Sequence, residues 1–516
     1  MLCKKMVFAG RPSRPASCLV LASGGRAPAY ANSRAFSSSL PRNKERLVIL
    51  GSGWGGYEVL RAIDKERWNV TMISPNNYFN FTPLLASCAV GTLEFRCATE
   101  PVRRYSPEVV AYQAWCDHIG KPCQRFGEEI LILERSATDR FSSETIAMCT
   151  LITFSAPGMP ATPPLSFETR SAPKADATTT QFPGTGTPFT LTYDKLVIAV
   201  GAYSQTFDVP GVKEHAHFLK DVKDARAIRT RILECFEQAN QPTISDVERR
   251  KLLNFCIVGG GPTGVEFAAE LHDLLHTEME RHYPGLTRFA KISMYDVAPQ
   301  ILGMFDESLV KYAEKTFKRD GISIFTSHHV ERVEPGKLFV KEQGEVPFGL
   351  LVWSTGLAPN PLVQSASDVK KDLKTSSIIT NDHLNVLKED GTPYSDVWAI
   401  GDAAMIEDAR LPATAQVANQ KAKYLTKKLN RLVKDKDSPK PFEFHNQGSL
   451  AYIGNWKAIY DRSGTGNNVM NKETGRLAWL LWRSAYFTMT LSVRNKILVP
   501  TYWFLNWIFG RDLTRF

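Results

Sequence analysis

Residues 46–57 read RLVILGSGWGGY. Leu47 to Leu50 is a short apolar run with Arg46 on one side and Gly51 on the other. An unbroken apolar run of that length, closed by a turn residue, predicts a parallel strand buried on both faces. Gly51, Gly53 and Gly56 follow in G-x-G-x-x-G spacing. The first glycine allows a tight turn, the second lets a pyrophosphate approach the backbone, and the third lets the next helix pack on the strand. The free N–H groups and dipole of that helix then favour the anion. Glycine-rich turns are common, so this stretch alone is a weak signal.

It gains weight by recurring. Leu253 to Val258 is a second apolar run, broken only by Asn254, and it leads into GGGPTGVE with Gly259, Gly261 and Gly264 in the same spacing. Phe267, Leu271, Leu274, Leu275 and Met279 then repeat at a helical period, and Tyr283-Pro284-Gly285 supplies the stop. Two dinucleotide fingerprints in one chain predict two dinucleotides, a resident flavin and a visiting nicotinamide.

Working outward, the whole chain has 516 residues, enough for two or three domains, and 43% hydrophobic with 22% charged residues is an ordinary globular composition. The formal charge is +10. Part of that excess lies in residues 1–44, which contain no Asp or Glu. No zinc-finger spacing and no basic stripe interleaved with aromatics accompanies it, so nucleic acid is not an expected partner. The nine cysteines include no C-x-x-C pair and their number is odd, which fits a reducing compartment better than a disulfide framework. No run of about 18 apolar residues predicts a transmembrane helix, and no EF-hand loop or metal-ligand spacing predicts a metal.

Residues 1–44 are rich in Arg, Ser and Ala, the composition of a mitochondrial targeting peptide, and Arg34-Ala35-Phe36-Ser37 resembles a matrix-protease cleavage site. The alternative is a basic tail without fixed structure. A second strand is expected at Val70 to Ile73, and its end should carry the acid that binds a ribose. Ser74 and Pro75 stand there instead. Residues 155–190 are rich in Pro, Thr, Ser, Ala and Gly and read as an exposed insertion with little fixed structure. Further strands are expected at Lys195 to Val200 before Gly201, at Leu350 to Trp353 before Gly356, and at Val397 to Ile400 before Gly401-Asp402.

This order places one Rossmann unit inside another and resembles the two-dinucleotide flavoprotein disulfide reductase superfamily. The predicted fold is therefore α/β, with an FAD-binding domain over 45–219 and 357–445 and an NADH-binding domain over 220–356. A C-terminal region over 446–516 follows. The C-x-x-x-x-C pair of the disulfide reductases is missing, because Cys88 and Cys97 lie too far apart. Cys116 and Cys123 could pair, although inert thiols are the simpler expectation. Direct transfer from NAD(P)H through a flavin to an acceptor is what remains.

Five strings resemble the fungal mitochondrial alternative (type II, rotenone-insensitive) NADH dehydrogenases. They are GSGWGG at 51–56, NYFNFTPLL at 77–85, GGGPTGVEFAAEL at 259–271, AQVANQKAKYL at 415–425 and SVRNKILVPTYWFLNWIFGRDLTRF at 492–516. The resemblance covers roughly residues 45–516, apart from the insertion, and implies a non-proton-pumping NADH:ubiquinone oxidoreductase. It sets Glu266 beside the nicotinamide and flavin, although an acid there also complements a helix N-terminus. It implies that Asp402 contacts the flavin ribitol, against a capping role for the following helix. Gln416 and Gln420, four apart on one helix face, would meet the quinone ring, where neutral amides both donate and accept. Asp296, closing the strand Ile292 to Tyr295, is expected to accept the NADH ribose 2′-OH and repel a 2′-phosphate. Its alternative is a strand-end acid without a ligand.

The stretch from about residue 477 mixes Trp479, Trp482, Tyr486, Phe487, Tyr502, Trp503, Phe504, Trp507 and Phe509 with Arg483, Arg494, Lys496 and Arg511. Interfacial aromatics with basic residues predict attachment to the inner-membrane lipid surface, with homodimerisation as a shared role. The matrix face is the expected side, since the leader lacks a stop-transfer segment. The runner-up reading is an NAD(P)H-dependent reductase of a soluble protein or small acceptor. A flavin-binding interaction protein with vestigial turnover is a third.

Overall fold

A computed structural model describes residues 44–120, 150–155, 189–436, 440–463 and 472–514. The predicted targeting peptide (apart from Lys44), most of the insertion at 155–190 and Cys123 lie outside those residues.

The opening strand forms over Arg46–Leu50 (β1), buried from Leu47 onward, and passes through the glycine turn into a helix over Trp54–Ala62 (α1). Asn69–Ser74 (β2) and Val109–Gln113 (β3) follow on one side of β1, and Lys195–Ile198 (β4) pairs on the other, all parallel. The chain then leaves this sheet. His217–Phe218 (β5), Val222–Ala239 (α2), Asn254–Val258 (β6), Pro262–Leu274 (α3), Lys291–Tyr295 (β7), Glu307–Arg319 (α4), Ser323–Phe325 (β8) and Leu350–Trp353 (β9) come next. Their five strands form a parallel sheet in the order β5-β9-β6-β7-β8. The chain returns with Ile378–Thr380 (β10), Asn385–Leu387 (β11), Pro393–Ala399 (β12) and Ala404–Ile406 (β13). These complete the first sheet as β13-β10-β11-β12-β4-β1-β2-β3. One doubly wound unit thus interrupts another, as the motif order requires.

Ala415–Leu432 (α5) packs against α1. The C-terminal region is a small antiparallel sheet of Ser449–Tyr452 (β14), Ala458–Asp461 (β15) and Lys472–Thr474 (β16). Helices over Gly475–Met489 (α6) and Val493–Phe509 (α7) follow it. Among the described residues no helix is long and apolar enough to cross a membrane. The insertion joins antiparallel neighbours, Thr150–Ser155 and Phe189–Tyr193.

Strand register decides where the site lies. Leu50 is level with Ile73 and Ile198, and Ile198 with Ala399. The loops bearing Gly51, Gly201 and Gly401 therefore leave the same edge of the first sheet. Val258 is level with Tyr295 and Trp353, which gathers Gly259, Asp296 and Gly356 at one edge of the second. In open α/β sheets this carboxyl edge is where ligands bind.

Candidate active site

The two glycine turns have the same anatomy. A Cβ added at Gly51 would fall 2.3 Å from the Ala199 carbonyl oxygen, and one at Gly56 would fall 1.9 Å from that of Gly51. In the second turn a Cβ at Gly259 would lie 2.6 Å from the Ser354 carbonyl oxygen, and one at Gly264 would lie 2.1 Å from that of Gly259. The middle glycines, Gly53 and Gly261, meet nothing within 4 Å. They precede α1 and α3, neither of which has a side-chain cap on its first N–H groups. Each turn is closed by its outer glycines and open at its centre, with uncapped donors facing the opening, and this suits a pyrophosphate.

The ribose ends differ. Asp296 accepts from the Gly260 N–H at 2.5 Å and the Ala298 N–H at 2.7 Å. These bonds fix the carboxylate against the second glycine turn and leave lone pairs for ribose hydroxyls. In the first unit Ser74 shares a 2.8 Å hydrogen bond with Ser52, whose hydroxyl also lies 2.8 Å from the Tyr78 carbonyl oxygen. A hydroxyl pair thus ties the turn to β2 where a carboxylate was expected.

Asp402 sits in the short turn Gly401–Ala403 and has no hydrogen-bond partner among the described residues. Burial raises its pKa, and the neighbouring ammonium groups of Lys220 and Lys421 oppose that rise. It does not cap α5, because the N-cap of that helix is Thr414, whose side chain accepts from the Val417 N–H. A partly buried carboxylate with no hydrogen bond of its own, at the sheet edge that also carries Gly51 and Gly201, suits a ligand hydroxyl.

Glu266 lies on α3 and is buried. Its Oε1 accepts from the Tyr452 N–H at 3.1 Å, the Trp482 indole N–H at 3.0 Å and the Tyr486 hydroxyl at 3.4 Å. Burial pushes its pKa up to about 7 despite these donors, and the nearby Glu270 adds to the rise. All three partners belong to the C-terminal region, and nothing in the motif around Glu266 announced them. The only sequence trace is the helical spacing of Trp482 and Tyr486.

Gln416 and Gln420 share one face of α5, as their spacing predicts, but both amides are engaged. Gln416 donates to the Gly448 carbonyl at 3.2 Å and accepts from the Gln447 N–H at 2.9 Å. Gln420 donates to the His445 carbonyl at 2.8 Å and accepts from the His445 N–H at 3.0 Å. A strap over 445–452 therefore runs from the two glutamines to Glu266 through the Tyr452 N–H. It links predicted site residues of both Rossmann units.

Glu266 heads a row of acids on α3. Glu270 accepts from the Ser87 and Thr92 hydroxyls, both at 2.7 Å. Asp273 accepts from the Tyr452 hydroxyl at 2.5 Å. A π turn over Leu275–Met279 then widens the helix by a residue and brings Glu278 to the same side. There the Arg511 guanidinium bonds Glu278 at 2.6 Å and Thr92 at 2.9 Å and lies 3.7 Å from Glu270. The cysteines take no part in this cluster. Burial raises the Cys88 thiol well above its ordinary pKa and takes Cys97 up to about 12.

Residues 45–422 match the pyridine nucleotide-disulphide oxidoreductase family, and residues 446–512 match the NDH2 C-terminal domain. A probable NADH dehydrogenase of Dictyostelium discoideum is 38% identical over 92% of this chain and 91% of its own. The external NADH-ubiquinone oxidoreductase 2 of Saccharomyces cerevisiae is 34% identical over 93% and 84%. An internal alternative NAD(P)H-ubiquinone oxidoreductase A1 of Solanum tuberosum is 35% identical over 92% and 88%. The fold matches that of Plasmodium falciparum NDH2 solved with NADH, with a TM-score of 0.75 at 24% identity over 91% of this chain and all of the other. The chain belongs to the pyridine nucleotide-disulphide oxidoreductase family and, within it, to the alternative NADH dehydrogenases that carry the NDH2 C-terminal domain.

Proposed function

We propose that this chain is an NADH:ubiquinone oxidoreductase that moves no protons across the membrane, with the balance NADH + H⁺ + quinone → NAD⁺ + quinol. The observation that carries the reading is the pair of matching glycine turns, one of them joined through Glu266 to the C-terminal region. In this reading FAD is held by 45–219 and 357–445, through Gly51, Gly53, Gly56, Gly201, Gly401 and Asp402. NADH is held by 220–356, through Gly259, Gly261, Gly264, Asp296 and Gly356, with the edge strand β5 reaching back to His217. The bound flavin supplies the two-electron relay between nicotinamide and quinone.

The protein's own part is positioning and proton supply. Asp296 selects an unphosphorylated ribose. Glu266, with a pKa near neutrality, can hold or release a proton at the carboxyl oxygen that the C-terminal donors leave unused. Gln416 and Gln420 each spend one donor and one acceptor on the strap, and their remaining amide hydrogens and lone pairs are what a quinone carbonyl would use.

The C-terminal helices fit a lipid surface. Val493, Ile497, Phe504, Trp507 and Phe509 are more than half exposed. The Arg483 guanidinium stacks between the Trp479 and Trp503 rings and couples α6 to α7. We assign the chain to the mitochondrial inner membrane as a peripheral protein. The matrix face is the working assignment, resting on the leader-like composition of residues 1–44, and homodimerisation through the same region goes with it.

Anaerobic stopped-flow tests the reaction. NADH should bleach the flavin absorbance near stoichiometrically, and a short-chain ubiquinone should restore it within the turnover time. Reoxidation only by ferredoxin or dyes would support a soluble reductase instead. Protease protection in intact mitoplasts reads the membrane face.

A further inference from the structure

Lys421 is a buried lysine on α5, 2% exposed, and its ammonium makes one long hydrogen bond, 3.3 Å to the Ala404 carbonyl oxygen. An ammonium carries three donors, and a buried charge is tolerated only when paired and bonded. The charged group acting on Lys421 is Asp402. The same carboxylate also attracts Lys220, a partly buried lysine whose ammonium bonds the Ala202 carbonyl oxygen, and among the described residues neither ammonium forms an ion pair with it. Two ammonium groups around one carboxylate leave a net positive charge where the Gly201-Ala202 and Gly401-Asp402 loops leave the first sheet. A methionine would fill the same length of space without the charge.

An unspent buried charge with unused donors marks a place where negative charge arrives. Hydride from NADH carries two electrons and one proton to the flavin and leaves NAD⁺, so the flavin gains one negative charge and no further reactant is needed. We propose that Lys421 is a positioning residue for this charge. Its buried ammonium, with Lys220 and Asp402, favours the negatively charged reduced flavin over the neutral oxidised one and so sets the midpoint potential of the bound cofactor. This rests on the reading that the Gly401-Asp402 turn contacts the flavin.

The test compares Lys421→Met, which keeps length and removes charge, with Lys421→Arg, which keeps charge. Each full-length protein is purified, its flavin per chain is measured by absorbance, and its midpoint potential is read by anaerobic equilibration with a reference dye. Lys421→Met should shift the equilibrium about tenfold or more toward oxidised flavin, a fall of roughly 30 mV for a two-electron couple. Lys421→Arg should stay within about threefold of the unsubstituted protein. A Lys421→Met protein with full flavin and an unchanged potential overturns the proposal. If that variant binds flavin weakly, titration with oxidised and with dithionite-reduced FAD gives the same quantity, since the affinity for the reduced form must fall about tenfold further. An equal loss of both affinities overturns the proposal. An unsubstituted protein that takes up no flavin would instead overturn the functional reading itself.

Discussion

Glu266 shows what a single residue gains from its surroundings. Its folded-state pKa of about 7 lies above its ordinary 4.5, with burial as the first cause. The native chain therefore binds more protons at this site than the unfolded chain between those values. The contribution of Glu266 to stability is full below about pH 4.5 and declines as pH rises toward 7. Glu266→Gln should flatten that decline in denaturant midpoints taken from pH 5 to 8. It should also remove the near-neutral inflection from the pH profile of flavin reoxidation by quinone. Retention of both slopes would show that another group titrates. Asp296→Ser should cut kcat/KM for NADH about tenfold, in line with the loss of a charge-assisted hydrogen bond, and raise the value for NADPH relative to it. An unmoved ratio would take Asp296 off the ribose. The places of Asp296 and Asp402 were legible because each follows an apolar run that ends in a turn, although the role of Asp402 came from the family resemblance. The environment of Glu266 was hidden, since its three partners lie 186, 216 and 220 residues away.

At the scale of the element, α3 is the instructive case. Its apolar period predicted a helix through Met279, and the helix is there, but that period does not say what Glu270, Asp273 and Glu278 meet. In the structure they are buried against the C-terminal region, and Arg511 neutralises the far end. Glu270, Glu278 and Arg511 have side-chain exposures of only 5%, 12% and 11%. Arg511→Leu strands two buried carboxylates and should cost about 3–5 kcal/mol, read as a lower denaturant midpoint. Adding Glu270→Gln and Glu278→Gln should recover part of the loss. The same difficulty hid the strap beside α5. Helical spacing puts Gln416 and Gln420 on one face, but no local rule states that an extended segment some 25 to 32 residues later takes up their amides. Gln416→Ala and Gln420→Ala should each weaken quinone use about two- to tenfold, a hydrogen bond's worth, while flavin reduction by NADH stays close to normal. Equal slowing of both half-reactions would mean that the glutamines only hold the strap.

For the whole molecule, the nested pair of Rossmann units was legible because apolar runs followed by glycine are local signals, and their order encodes the insertion. The antiparallel strands β10 and β11, and the way the C-terminal region covers α3, depend on contacts between distant segments and were not. The exposed aromatic surface gives a prediction at this scale. Burying one large apolar side chain is worth about 1.5–3 kcal/mol, so replacing Phe504, Trp507 and Phe509 together by Ser should weaken binding to anionic vesicles by about a hundredfold or more. Flavin content should not change. Unaltered co-sedimentation would show that another surface meets the lipid.

The position of Arg511 also has a meaning in time. A ribosome delivers the NADH-binding segment as one continuous piece, but β10 to β13 of the first sheet only after it. The cationic partner of Glu270 and Glu278, Arg511, emerges only after every strand of both sheets. Until then Glu270 and Glu278 lack the cation that offsets their charge. Maturation of the enzyme therefore waits on residues made after both Rossmann units. Nascent chains halted before Arg511 should be cut by protease within α3, whereas chains released beyond it should resist.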